Sequence, residues 1–508
     1  MTFSASRIGH RLPFARPIAL LYLIGLGGAI LFGTAVAQEP ILAVGALAVA
    51  LLALVVLAWP DAPTLAVIFI LYTNAAVIAV RFHGMPFTVG AAVPVLLIIP
   101  LANLLVFRRE KLRINTAVML MFVFLGIKVA GTLFSAHPDI SVVDLITFAT
   151  EGFGLYFLIF NTTRSLKMIR VAIWVLLLAG TFLGFLSVYQ QATQTFSNDY
   201  GGFAQMSNAA FGTGVESLQG EIEQRRLAGP LGDQNYYAQI MLTLVPLGLF
   251  EFWGAKSKLL RVLALITIGF ILGGAVLTFS RGAAVGFALM LLIMTFLRYI
   301  KLYQLALTAL VLVLVMQAFP QYATRLNSLQ ALSGAVGDDG GTGIQAADNS
   351  TKSRLTEMGA ASLVAADYPL VGVGPGLFKY YYPAYADAIG LKQHSGVRAA
   401  HDLYLEIAAE NGVLGLLCFL AIVFVSLRDL VRTRERWLQS RPEMANVATG
   451  FILAIVTFLA TAVFLSFAYE RYFWLILALG GATSSIARSE AFKVSRLNQQ
   501  DTRPFSNA

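Results

Sequence analysis

Cysteine is nearly absent from this chain of 508 residues, which holds only Cys418. A single thiol excludes an intrachain disulfide framework and a cysteine-rich metal site. Charge is also scarce. Only 12% of the residues are Asp, Glu, Lys or Arg, against about 25% in soluble proteins. The short alternating segments of a membrane β-barrel are missing as well. What the chain has instead is apolar length: 58% of its residues are hydrophobic and the mean hydropathy is +0.74. Runs of about 20 apolar residues recur, each long enough to cross a bilayer as a helix. The sequence therefore reads as an all-α polytopic integral membrane protein. Its net charge of +9 does not imply nucleic acid, because basic residues in such proteins set topology. Membrane lipids are the expected surroundings.

The runs place spans near 17–37, 40–58, 64–80, 87–107, 114–134, 144–160, 170–190, 234–253, 260–279, 282–298, 302–319, 402–427, 445–466 and 471–487, about fourteen transmembrane helices. With a cytoplasmic N-terminus, inside segments hold 24 of the 36 basic residues, in clusters such as Arg108/Arg109/Lys111/Arg113 and Arg428/Arg432/Arg434/Arg436/Arg441. The positive-inside rule favours this orientation, with both termini cytoplasmic. Two long loops, 191–233 and 320–400, then lie outside, and 488–508 is a cytoplasmic tail. No soluble domain stands out, so 1–508 is expected to be a single membrane domain. Ala35-Val36-Ala37 before Gln38 resembles a signal-peptidase site, but the long apolar run before it favours an uncleaved first helix. Lys128 and Glu151 each lie about 10 Å inside the outer ends of their spans, which predicts a structural ion pair between them.

Topology does not call for the outer basic residues Arg81, Arg225, Arg226, Arg281, Arg325, Lys352, Arg354, Lys379, Lys392, Arg398 and Arg471. Their excess suggests an anionic ligand, since arginine grips phosphate with a two-pronged fork. Lipid headgroups explain most of them singly. Arg281 is pinned at the outer boundary, because Ser280-Arg281-Gly282 joins two spans with almost no loop. Arg226 opens a Gly/Pro turn that runs to Asn235, which either caps the next helix or touches a sugar. Gly372-Val373-Gly374-Pro375-Gly376 has no βαβ unit around it and reads as a bend that folds the outer loop back, not as a dinucleotide site. The tyrosines after it, Tyr380, Tyr381, Tyr382 and Tyr385, fit interfacial anchoring or sugar stacking. The acidic loop at Gly337–Gly343 lacks the spacing of an EF-hand, and no metal is expected.

The stretch from His401 to Leu416 follows the longest polar loop and opens a hydrophobic helix. Asp402, Glu406 and Glu410 recur every fourth residue and share one helix face. That face is expected to meet water or a polar cavity, since lipid penalises it. His401 is the outer histidine best placed for chemistry. The helix dipole favours its neutral, proton-accepting form, Asp402 opposes this, and the net shift stays open.

These segments together resemble the O-antigen ligase/polymerase superfamily: Ser280-Arg281-Gly282, then Arg354 early in the large outer loop, then Pro369–Gly376, then His401–Leu416. The resemblance is strong over 225–430 and loose elsewhere. The ligase signature runs His, a small polar residue, nine residues, then Gly-x-x-Gly; here these are His401, Asp402, 403–411, Gly412 and Gly415. Asp402 departs from the usual Asn, Ser or Gln. Arg281-Gly-Ala-Ala-Val285 departs mildly from the family's Arg-x-x-x-Leu.

The resemblance implies a metal-independent, inverting membrane glycosyltransferase of the C-type fold in the bacterial inner membrane, with a periplasmic active site and no cofactor. Its donor would be a glycan on undecaprenyl pyrophosphate, and its acceptor lipid A–core or a growing glycan. By the same carry-over, His401 would deprotonate the acceptor hydroxyl, and Arg281 and Arg354 would bind the pyrophosphate. Arg226, Asn235, Asp402, Arg398, Arg471 and Tyr381 are further candidates for substrate contact. O-antigen ligation is the leading expectation, O-antigen or exopolysaccharide polymerisation the alternative. A lipid-linked glycan transporter would show matching halves with broken helices, and none are visible.

Overall fold

A computed structural model describes residues 59–207, 211–217, 220–318, 349–389 and 398–501. The expected spans 17–37 and 40–58, the site after Ala37 and the acidic loop at 337–343 lie outside the described residues. The chain divides at Pro63/Thr64, and the second of its two units runs from Thr64 onward.

That unit is helical. Its main helices are α1 (Ala62–Tyr72), α2 (Ala75–His83), α3 (Pro94–Phe107), α4 (Thr116–Leu133), α5 (Pro138–Thr162), α6 (Leu166–Thr193), α7 (Gln234–Gly254), α8 (Lys258–Val276), α9 (Arg281–Phe296), α10 (Leu302–Ala318), α11 (Asn349–Asp367), α12 (Phe378–Ile389), α13 (Leu403–Trp437), α14 (Pro442–Ala462) and α15 (Glu470–Asp501). Among the described residues, six helices are long and apolar enough to cross a membrane. A seventh is added if α1 and α2, bent by 58°, form one span. The chain is thus a helical membrane protein. The expected span at 87–107 is not one straight helix. It is broken into short pieces around Pro94 and Pro100, where proline removes a backbone donor and clashes with the preceding turn.

The helix α7 lies at the centre, packed against α8 and α14. Nearly every side chain from Tyr236 to Gly248 is buried, and a helix covered on all sides belongs in a core. By contrast, α8 turns Leu259, Val262, Leu265 and Ile266 outward, as a lipid-facing helix does. α14 also packs on α9, α13 and α15, and α13 also meets α4 and α11. Between α6 and α7, strands β1 (Gln205–Met206) and β4 (Leu227–Gly229) pair antiparallel, as do β2 (Phe211–Ser217) and β3 (Gly220–Gln224).

Buried charges do pair, but not as the sequence suggested. The Lys128 ammonium lies 2.8 Å from Asp144, not beside Glu151. Glu151 instead receives Arg471 at 3.0 Å. The reason is where α5 starts. It begins at Pro138, not near 144, so Asp144 lies at the depth of Lys128 and Glu151 lies about 10 Å further along the helix.

Candidate active site

The helix α13 is interrupted at Gly412, whose φ of 66° and ψ of −173° are not helical. The short piece 403–411 leads from His401, and 413–437 is the long piece. The break strands backbone groups that lipid cannot satisfy, and the loop 369–376 takes them up. Val373 N donates to Ala409 O (2.9 Å), Gly374 N to Glu410 O (3.0 Å) and Val413 N to Pro369 O (2.7 Å). The Gly372–Gly376 segment is therefore the expected bend, clasped to the broken helix.

Asp402 and Glu410 are buried and Glu406 is half-buried. Each turns to a backbone N–H. Asp402 is the N-cap of α13 and accepts from Leu405 N at 2.9 Å. Glu406 accepts from Phe467 N at 2.7 Å. Glu410 accepts from Gly376 N at 2.9 Å and Phe378 N at 3.3 Å. A carboxylate satisfied by backbone donors is held in place by charge-assisted bonds, so the shared face serves as a row of fasteners for neighbouring loops.

His401 precedes this cap. Its φ of 49° is left-handed, a conformation that costs free energy for a non-glycine residue and clusters at functional sites. Its Nε2 lies 3.7 Å from Glu357 on α11. Its Nδ1 is buried without a hydrogen-bond partner. Burial, and then Arg354, push the imidazole down to about 4; Asp233 opposes and Arg398 adds to the push. The ring is therefore neutral near pH 7, which settles the direction that the sequence left open. Burial pushes the Glu357 carboxyl up to about 7 against the pull of Arg398 and Arg354.

Arg354, Asn235, Ser280, Gly282 and Phe464 line one cleft. Ser280 and Gly282 flank Arg281, the first residue of α9, and Ser280 caps that helix. Arg226 is buried beneath this turn. It donates to the carbonyls of Thr278 (2.9 Å) and Phe279 (3.4 Å) and to Asn235 Oδ1 (3.4 Å). Asn235 Oδ1 also accepts from the Ser280 hydroxyl at 3.0 Å. Asn235 does not cap α7; Asp233 does, accepting from Asn235 N and Tyr236 N. The fold thus brings the turn that bears Arg281 to the cleft of Arg354, and brings Arg354 and Arg398 to His401.

Other candidates go elsewhere. The Arg471 guanidinium is committed to Glu151 and to Asn74, 2.7 Å away. Tyr381 packs edge-on against Tyr368, and Tyr385 donates to Asp367. Two residues beside His401 escaped the sequence reading, Glu357 and Asp233. The signal for Glu357 was its spacing: it lies three residues after Arg354, on the same helix face.

Residues 266–420 match the model of the family described as O-antigen ligase. The match takes in Arg281, Arg354, Glu357 and His401. No curated protein matches the chain.

Proposed function

Through residues 266–420 the chain belongs to the O-antigen ligase superfamily, and from that premise we propose that it transfers a glycan from undecaprenyl pyrophosphate to an acceptor hydroxyl at the periplasmic membrane face. The acceptor in the leading reading is lipid A–core. The observation that carries this is the placement of His401: a neutral imidazole in a strained backbone, with an unpartnered nitrogen, beside Arg354, which also lines the cleft at the Arg281 turn.

The division of labour follows from the chemistry. A hydroxyl is a poor nucleophile until a base takes its proton, and a neutral His401 can take it. The pyrophosphate gains charge as the glycosidic bond breaks, and the guanidiniums of Arg281 and Arg354 would stabilise that charge. Cations fixed in this way perform the task without a metal. Attack opposite the leaving group inverts the anomeric configuration. The about fourteen spans, the C-type fold, the inner-membrane location and cytoplasmic termini belong to the same reading.

The departure at Asp402 does not count against ligation. It acts as a helix N-cap, and Asn and Ser fill that position equally well. Polymerisation of an O-antigen or exopolysaccharide remains the alternative. The deciding experiment deletes the protein from its host and sizes the glycan left on undecaprenyl pyrophosphate. Ligation predicts long chains on the carrier and unsubstituted lipid A–core. Single repeat units would mean polymerisation, and an unchanged carrier pool would refute both.

A further inference from the structure

Glu357 is a carboxylate with little to hold it. Its side chain is 1% exposed, and its Oε2 has no hydrogen-bond partner. The nearest complementary group is His401 Nε2, 3.7 Å away, longer than a hydrogen bond but within reach of a small ring rotation. On the far side of the ring, Nδ1 is buried and unpartnered. A proton placed there would be an orphaned buried donor, which folded proteins rarely tolerate, whereas an unpaired acceptor is tolerated better. The ring proton therefore belongs on Nε2, facing Glu357.

We propose that Glu357 is a positioning residue for His401, fixing the ring with its proton on Nε2 so that the Nδ1 lone pair, enclosed until the side chains around it part, is left for the acceptor hydroxyl. The proposal rests on His401 being the base. As the acceptor oxygen bonds to the anomeric carbon, its proton passes to Nδ1. The bond from that carbon to the phosphate oxygen breaks, and its electron pair leaves on undecaprenyl pyrophosphate. The ring is then an imidazolium, and the Glu357 carboxylate faces its Nε2–H and stabilises the new charge.

The surroundings make this carboxylate count. Arg354 on α11 and Arg398 just before His401 both disfavour the imidazolium, and Asp233 at the start of α7 favours it. Asp402 spends its side chain on the helix cap. Because Glu357 ionises near pH 7, its help arrives as pH rises through that value.

Two measurements test the pair on the full-length protein in lipid vesicles. The first is the ¹⁵N shift of His401 in histidine-labelled protein at pH 8, with no substrate present. The expected result is the Nε2-protonated tautomer in the wild type and a mixture in Glu357→Gln. The second is the pH profile of transfer from the host's own undecaprenyl-pyrophosphate glycan. Glu357→Gln should lower kcat about ten- to a hundredfold and abolish the rise near pH 7, while Glu357→Asp should restore part of both. A variant damaged only in folding would lose rate without losing that rise. An Nδ1-protonated ring in the wild type, or an unchanged tautomer and profile in Glu357→Gln, overturns the proposal. Full turnover by His401→Ala would sink the base assignment instead, and the tautomer would still report whether Glu357 orients the ring.

Discussion

The Gly412 backbone and the Leu370 carbonyl occupy the same crossing point: a Cβ on residue 412 would fall 2.1 Å from the Leu370 oxygen. Gly372 meets the other side, where a Cβ would fall 2.3 Å from the Glu410 carbonyl carbon. Two chains pass with no room for a methyl group, and both glycines hold positive φ. Gly412 thus lets the loop at 369–376 lie against the broken helix, whose first piece starts just after His401.

Gly412→Ala should therefore be among the most damaging single-methyl changes in the chain. Overpacking and a strained left-handed backbone together predict a loss of about 2–5 kcal/mol. Thermal unfolding of the purified protein checks it. Gly126→Ala, inside helix α4 and with nothing within 4 Å of the added methyl, serves as the control and should hold the midpoint or raise it slightly.

A double-mutant cycle distinguishes the two partners offered to Lys128. Lys128→Met alone leaves the half-exposed Asp144 without its cation and should cost about 1–2 kcal/mol. Adding Asp144→Leu should recover much of that loss. Lys128→Met combined with Glu151→Gln should couple far more weakly than Lys128→Met with Asp144→Leu, because Glu151 pairs directly with Arg471 and coupling is strongest between residues in contact. Strong Lys128–Glu151 coupling in unfolding measurements would contradict the observed pairing.

These cases show what the sequence made legible. The six long apolar helices and the bend at Gly372–Gly376 were readable, because apolar length and glycine spacing are local signals. Partner choice was not. Lys128 has several acids within reach in the sequence, and an error of six residues at the start of α5 moves the matching acid by about 10 Å. Glu406 and Glu410 looked like a polar face because side-chain periodicity reports which residues are together, not what they meet. Their partners, the N–H groups of Phe467, Gly376 and Phe378, are backbone atoms that leave no mark in the sequence.

The acidity of His401 gives a prediction with a definite sign. A base must be neutral, and this ring protonates only near pH 4. Protonation of His401 should therefore cost no activity between pH 5 and 6, where an ordinary histidine, with a pKa of about 6.5, would be largely protonated. Arg398 is one of the cations that hold the ring down. Arg398→Gln should move the acid limb to higher pH, so that this variant loses more of its own maximum at pH 5 than the wild type does. An acid limb that stays in place after this change would remove Arg398 from the site.

Arg281 and Arg226 should respond differently to the same conservative change. Arg281→Lys keeps a charge at the first residue of α9 but replaces a planar fork with a point charge. If Arg281 stabilises the departing pyrophosphate, kcat should fall about ten- to a hundredfold, while the unfolding midpoint stays near the wild-type value. Arg226 spans two carbonyls and Asn235 beneath the turn that carries Arg281. An ammonium cannot make that spread of bonds from one position, so Arg226→Lys should lower the unfolding midpoint and weaken transfer together. Measuring both quantities for both variants separates the two roles. A drop in stability for Arg281→Lys as large as that for Arg226→Lys would mean that Arg281 holds the turn and does not act on the substrate.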